Sequence, residues 1–386
     1  MKNRTFIKKF IKARADRHEK YDRLFILIVI LLAAYGTVMV FTSGYAYAAF
    51  RYGDALHFVK RQSIWLTIGL GVMYVFSGID TQIIKKYTPH AYAGTLILLA
   101  LTLVIGFVGN GAQRWISVGP LTIQPSEIAK LTMTMMLAWY FANNDTDACL
   151  ATDTKSVFIA GTVIPTAIMA MPILLVMLQH HLSCIIILGT IGLLVIILAG
   201  VNLRYIGGFV GAGALGVTAL ALFTDYTKDR VTVWRDPESY KLTGGWQTLQ
   251  GLMAIGSGGL FGKGLGKGEL KYCYVSEPAN DMIFAILCEE LGFFGALAAI
   301  TLFAFLVARG FHIAFSTEDT YSRLLTLGIC VKIAVQTLLN IAVVTNTIPN
   351  TGISLPFFSY GGSSLIMIFA EMGIILSVSR KSKLQK

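Results

Sequence analysis

The chain has 386 residues, of which 55% are apolar and only 14% charged, against about 25% charged in an ordinary soluble protein. With a mean hydropathy of +0.66, that composition excludes a single soluble core, and equally a disordered, collagen-like or disulfide-scaffold chain. The formal charge of +11 matters less for its size than for where the charges fall.

The first 23 residues carry nine Lys or Arg (Lys2, Arg4, Lys8, Lys9, Lys12, Arg14, Arg17, Lys20, Arg23). Ten apolar windows follow, near 24–42, 58–78, 91–109, 126–142, 157–178, 183–199, 206–224, 282–308, 324–345 and 363–379. Each approaches the roughly 20 residues needed to cross a bilayer core as a helix, so the expected fold is an all-α polytopic membrane protein. An even number of spans puts both termini on one side. The tail (Arg380, Lys381, Lys383, Lys386) and the loops on that side (Lys85, Lys86, Lys155, Arg204, Arg309, Arg323) bring its basic count to nineteen. The positive-inside rule then makes the termini cytoplasmic. The expected division is a basic segment 1–23, one transmembrane domain 24–379 and a basic tail 380–386. Basic ends of this kind serve topology and anionic lipid, and no nucleic-acid partner is expected. Ala46-Tyr47-Ala48 resembles a signal-peptidase site, but the apolar run before it is long and the charged leader longer still, so an uncleaved anchor is expected. The five cysteines (Cys149, Cys184, Cys273, Cys288, Cys330) are scattered and contain no CxxC pair, against a disulfide framework or zinc site.

Three outer-face segments differ from plain loops. The first reads Asn110-Gly111-Ala112-Gln113-Arg114-Trp115-Ile116, then Gln124-Pro125-Ser126-Glu127 and Lys130. Trp115 is either an interfacial anchor or a stacking surface. Pro125 marks the start of the fourth helix, where Glu127 and Lys130 can pair at i,i+3. The second is the loop 225–281, whose seven basic and seven acidic residues cancel. Residues 256–268 (GSGGLFGKGLGKG) hold seven glycines in neither Walker A nor GxGxxG spacing, so a nucleotide site is unsupported. They suit either a flexible or tightly packed membrane-surface loop, the favoured reading, or a close approach to phosphate with Lys263 and Lys267 alongside. Asp281 ends this loop where the eighth span begins. A helix cap accounts for Asp281 alone, but not for Glu289 and Glu290 two turns further in, because acids that deep mark a site by default. The third segment, Pro349 to Ser364, has two prolines and three glycines. Irregular backbone at that depth must be packed in protein or face a wet cavity.

Within the membrane, Lys332, Gln336 and Asn340 fall on one helical face, and Glu371 lies on the tenth span. Interhelical pairing is the favoured role for these groups. His180 and His181 are adjacent and point apart on a helix, so metal ligation is not expected.

Together the GAQRWI…QPSE..K, GGLFGKGLG…EPANDMIFA…EELG and TGISLPFFSYGGSSL runs resemble, in the same order, signatures of the SEDS family (shape, elongation, division and sporulation). VMVFTSG at 38–44, the Arg61-Gln62 pair and TGISLPF are more similar to its FtsW/SpoVE branch than to RodA, as is Gln179-His180-His181-Leu182-Ser183. The resemblance implies a SEDS-type bundle in a bacterial cytoplasmic membrane, with its large outer loop between helices 7 and 8. It implies a peptidoglycan glycosyltransferase that polymerises lipid II, inverting at the anomeric carbon and releasing undecaprenyl diphosphate. The family's essential acid maps onto Asp281, although Ala279-Asn280 stands where many relatives have His-Thr. A sugar hydroxyl needs a base, so Asp281 is expected to act as that base or as a ligand to a divalent cation, Mg or Mn. Candidate supports are Trp115 for the sugar, Arg114, Arg230, Lys263 and Lys267 for the diphosphate, and Glu290, Lys332, Ser359 and Gly361 around the cavity. The implied partner is a class B penicillin-binding protein within division or elongation machinery. Two other readings stand beside this one: a lipid II flippase or transporter, which buried charges also suit, and a non-catalytic scaffold for a transpeptidase.

Overall fold

In the computed structural model the described residues are 21–109, 112–118, 121–144, 159–179, 181–201, 207–208, 211, 225–272, 274 and 278–382. Eleven helices are described: α1 (Arg23–Tyr52), α2 (His57–Gly78), α3 (Thr81–Ile105), α4 (Pro125–Asn143), α5 (Ile164–Leu178, entered through a π turn at Ile159–Val163), α6 (Leu182–Leu198), α7 (Asp225–Arg235), α8 (Gly245–Gly258), α9 (Ile283–Phe315), α10 (Thr320–Val344) and α11 (Gly362–Ser379). Six are long and apolar enough to cross a membrane, and α6 is a shorter apolar helix. This is a polytopic helical membrane protein. Each expected span falls on a helix except 206–224, most of which lies outside the described residues, as do His180, Cys149, Cys273 and the basic segment 1–20.

The third span differs from its expected bounds. It begins at Thr81, where the Asp80 carboxylate accepts from Gln82 N at 3.0 Å, and it ends at Ile105. Residues 107–109, expected to continue it, instead form β1 (Phe107–Gly109) of an antiparallel sheet with β2 (Ala112–Val118) and β3 (Leu121–Ile123). The register pairs Phe107 with Trp115 and Ile116 with Ile123. Gly106 ends the helix, and the aromatic and β-branched residues beyond it suit a pleated surface better than a further helical turn. The long loop likewise contains two helices, α7 and α8.

The two ends of the bundle are built differently. At the end holding the starts of α1, α3 and α10, aspartates serve as caps and as ion-pair partners. Asp22 accepts from Phe25 N at 2.9 Å and from the Arg309 guanidinium at 2.8 Å, Asp80 pairs with Lys381 at 2.6 Å, and Asp319 accepts from Ser322 N at 3.0 Å. Each carboxylate thereby satisfies orphan helix donors. The other end holds the sheet, α7, α8 and the irregular stretch before α11.

Most of α10 and α11 is buried, whereas α3, α5 and α9 turn most of their surface outward. Lys332 and Glu371 sit on these two buried helices, and Glu289 and Glu290 on the buried first turns of α9, as the expense of charge in lipid requires. Glycines set the close approaches. A Cβ on Gly36 of α1 would lie 2.2 Å from the carbonyl oxygen of Phe357, so only glycine lets the Pro356-Phe357-Phe358 bend seat there. Phe357, at φ 64°, is held by its buried ring, which meets Phe369 edge-on at 5.9 Å. The irregular segment is therefore packed in protein.

Candidate active site

Asp281 sits in the turn that leads into α9. Its backbone is fixed from α10: the Asn340 side-chain amide donates to the Asp281 carbonyl at 2.9 Å and to the Ile353 carbonyl at 2.7 Å. The residues before it are held from the other side. Ser359 Oγ donates to the Asn280 carbonyl at 2.7 Å, and Tyr360 N donates to the Ala279 carbonyl at 2.8 Å. Ser359 is itself pinned, accepting from Leu355 N at 2.7 Å. The second and third sequence segments are thus joined into one wall, and the Asp281 carboxylate accepts from Gln247 Nε2 of α8 at 3.3 Å.

That wall bounds a cavity of about 880 Å³, toward the upper end of ligand pockets, which run to roughly 1,000 Å³. Asp281, Gln247, Arg230, Trp115, Arg114, Ser359 and Gly361 all line it, with Arg61 and Trp65 of α2. Three guanidinium groups therefore share this half-buried space with the Asp281 carboxylate, and Glu127 and Lys130 line it too; the guanidinium groups suit an anionic leaving group. Arg230 donates to the Asn350 carbonyl, and Trp234 Nε1 donates to the Asn346 carbonyl at 2.9 Å; these bonds tie α7 to the end of α10. Trp115 faces the cavity from β2, so its position is that of a ring lining the site rather than of a plain interfacial anchor.

The floor is polar and fully packed. Lys130 donates to Glu127 at 2.7 Å and to Gln336 at 3.3 Å, and Ser364 donates to the other Glu127 oxygen at 3.3 Å. The i,i+3 pair expected from sequence is present and buried. Lys332, expected beside the cavity, lies deeper, pairs with Glu371 at 2.6 Å and is not among the lining residues. Its location on the inward face of α10 is as expected; its partner is the acid of α11.

Lys263, Lys267 and Glu290 depart from their expected positions. The glycine-rich run does not reach the cavity but folds onto a break in α9 at Gly292, whose φ is 66°. Lys263 N and Gly264 N donate to the Glu289 and Glu290 carbonyls, each at 2.9 Å, and Phe293 N donates to the Gly259 carbonyl at 2.9 Å. A Cβ on Gly258 would lie 1.9 Å from the Cys288 oxygen, and one on Gly262 would lie 2.2 Å from the Glu290 oxygen. The glycines permit this backbone contact, and the tightly packed reading of the loop is the one observed. Lys263 is engaged by Glu289 at 3.1 Å, which raises the pKa of its ammonium group, chiefly through that hydrogen bond. Glu290 holds Lys271 at 2.6 Å, with both side chains fully buried, and accepts from Gly266 N at 2.9 Å. Lys267 is exposed. Glu290 therefore organises the loop, not the cavity.

Sequence reasoning passed over Gln247 and Trp65, quoted Arg61 only for its resemblance, and weighed His181 only as a metal ligand and in that resemblance, although it lines the cavity. Arg61 and Trp65 stand at i,i+4 on α2, a spacing that could have flagged a shared polar and aromatic face. Gln247 carried no signal, since a glutamine in a polar loop resembles any other. As for a cation, among the described residues no three His, Cys, Asp or Glu side chains gather as a metal cage. Asp281 brings a single carboxylate to the cavity wall, and the donor set does not form a protein-built Mg or Mn site.

The cell cycle protein family model of FtsW, RodA and SpoVE matches residues 22–384. The chain is 36% identical over 367 residues to the stage V sporulation protein E of Bacillus subtilis (strain 168), covering 94% of this chain and 98% of that one. It is 33% identical over 369 residues to a probable peptidoglycan glycosyltransferase FtsW of Geobacter sp. (strain M18), covering 95% and 99%. Among solved structures, a chain from a study of structural coordination of polymerization and crosslinking by a peptidoglycan synthase complex matches with a TM-score of 0.76 at 27% identity, over 93% of this chain and 98% of that one. A match over almost the whole length, with the same helical architecture, makes this chain a member of the FtsW/RodA/SpoVE family.

Proposed function

We propose that the chain is a peptidoglycan glycosyltransferase that polymerises lipid II at the outer face of the cytoplasmic membrane, with Asp281 as general base. The carrying observation is the placement of Asp281 on the wall of a largely apolar cavity whose other walls present Arg61, Arg114 and Arg230. Asp281 takes the proton of the acceptor sugar 4-hydroxyl as that oxygen bonds to the donor anomeric carbon. The bond from that carbon to the diphosphate oxygen breaks, and undecaprenyl diphosphate leaves with its electron pair. Attack opposite the leaving group inverts the linkage. Guanidinium groups stabilise the departing diphosphate, and Trp115 offers its ring to a sugar face.

The reading also sets the orientation. The nineteen basic residues counted in sequence on the side of the termini support cytoplasmic termini and, with them, a cavity that opens on the wall side. Its transpeptidase partner would be a class B penicillin-binding protein, a reading supported by the synthase complex to which the fold is similar. The test is strand synthesis from lipid II by the purified chain with that partner. Asp281→Asn should lower it by at least about a hundredfold, the lower bound of the roughly 10²–10⁴ range of general-base contributions, with unchanged thermal stability. Undiminished synthesis by the variant would overturn the assignment.

A further inference from the structure

The geometry points to Gln247 as a positioning residue for Asp281: its side-chain amide, carried on the outer helix α8, sets the orientation of the carboxylate. This rests on the general-base reading above. The backbone of Asp281 is fixed by Asn340 from α10 at 2.9 Å, and its side chain takes a donor from α8. Gln247 Nε2 donates to Asp281 Oδ2 at 3.3 Å, and both residues line the same cavity.

The helix that carries Gln247 is built to hold it there. Gly251, Ala254 and Gly258 follow at i+4, i+7 and i+11 on one face. A Cβ on Gly251 would meet Met282 Sδ at 3.5 Å, Ala254 is fully buried, and Gly258 abuts the Cys288 carbonyl. Small residues therefore let α8 lie flush along the first turns of α9, starting beside the residue that follows Asp281. The backbone bonds between the glycine run and Glu289, Glu290 and Phe293 lock the far end of α8 to α9. Gln247 itself is only half-buried, so its place is not explained by core packing. A neutral amide also suits the task. It orients the carboxylate and stabilises its charged form modestly, whereas a cation there would weaken the base.

The experiment compares Gln247→Leu and Gln247→Glu with the parent, full chain with its partner, in lipid II polymerisation across pH. The charged and titrating groups facing Asp281 from the other walls (Arg61, Arg114, Glu127, Lys130, His181 and Arg230) stay the same in both variants. Gln247→Leu should lower kcat roughly ten- to a hundredfold, the effect of losing a hydrogen bond to a charged group, with KM changed by less than about threefold. Loss of a donor to the charged form raises the carboxyl pKa, so the acid limb of kcat/KM should move up by about one pH unit. Gln247→Glu should move it further, since a second carboxylate disfavours ionisation. Parental kcat and an unmoved acid limb in both variants would overturn the role, and so would a kcat loss with an unmoved limb and a lowered Tm. Asp281→Asn is run alongside. If it keeps turning over, the base assignment fails and takes the role of Gln247 with it; if it is inactive while both Gln247 variants match the parent, only the role of Gln247 falls.

Discussion

Asp281 and the Glu289–Glu290 pair stand little more than two helical turns apart at the start of α9, yet their surroundings have little in common. The two glutamates are fully buried and accept from Lys263, Lys271 and the backbone N–H groups of Gly266, Glu269 and Leu270. Asp281 is half-buried on a cavity wall and accepts from one neutral amide among the bonds described above. Buried acids saturated with cations and N–H donors lock a fold. An acid held by its backbone, with its carboxylate on an open wall, is placed for chemistry. Depth in the membrane alone does not separate the two cases; the cavity that Asp281 lines and the two glutamates do not reach does.

That contrast can be broken or sharpened by substitution. The largest effect falls on turnover: Asp281→Asn should remove activity with little change in thermal unfolding, because the amide keeps the shape of the site. Removing one partner of the fully buried pair should act on stability instead. Lys271→Ala leaves Glu290 charged and unpaired, a change that costs about 3–5 kcal/mol. It should appear as a large fall in Tm in detergent, and a Lys271→Met, Glu290→Gln double variant should recover part of it. Stability unchanged in Lys271→Ala would show that the glycine loop is not locked by this pair. Arg230→Ala is expected to be intermediate, weakening lipid II use several-fold through kcat/KM, a barrier increase of about 1 kcal/mol, while Tm changes little. The smallest effect belongs to Lys267→Ala. As an exposed surface substitution it should stay within about 0.5 kcal/mol of the parent in stability and leave strand synthesis unaltered; a clear loss of synthesis would return the glycine loop to the diphosphate site.

How far the site could be read in advance follows from the range over which each interaction acts. The Glu127–Lys130 pair and the inward face of Lys332, Gln336 and Asn340 are helical-spacing features, legible because i,i+3 and i,i+4 neighbours meet wherever a helix forms. Asp281, Arg114, Trp115 and Arg230 were legible from segments whose prolines, glycines and charges do not belong in plain loops. The glycine run was legible as an object but not as a location. Seven glycines in thirteen residues promise close backbone contact without saying whether phosphate or another helix makes it, and here the broken backbone of α9 does. The sheet at 107–123 escaped notice because a short hairpin at a membrane edge interrupts an apolar pattern that otherwise continues a span.

Sequence alone determined that this chain lives in a bilayer, where most of its helices run, and which three segments carry the unusual chemistry. Those properties follow from the transfer energy of apolar runs and from spacings of three or four residues. Tertiary structure alone decided which cations meet which acids. Lys332 went to Glu371, Lys271 to Glu290 and Lys263 to Glu289, leaving Arg61, Arg114 and Arg230 to share a cavity with Asp281. Charges cannot be left unpaired where water is scarce, so the pairing is settled only when helices distant in sequence pack together, and the residues that line the cavity follow from that packing.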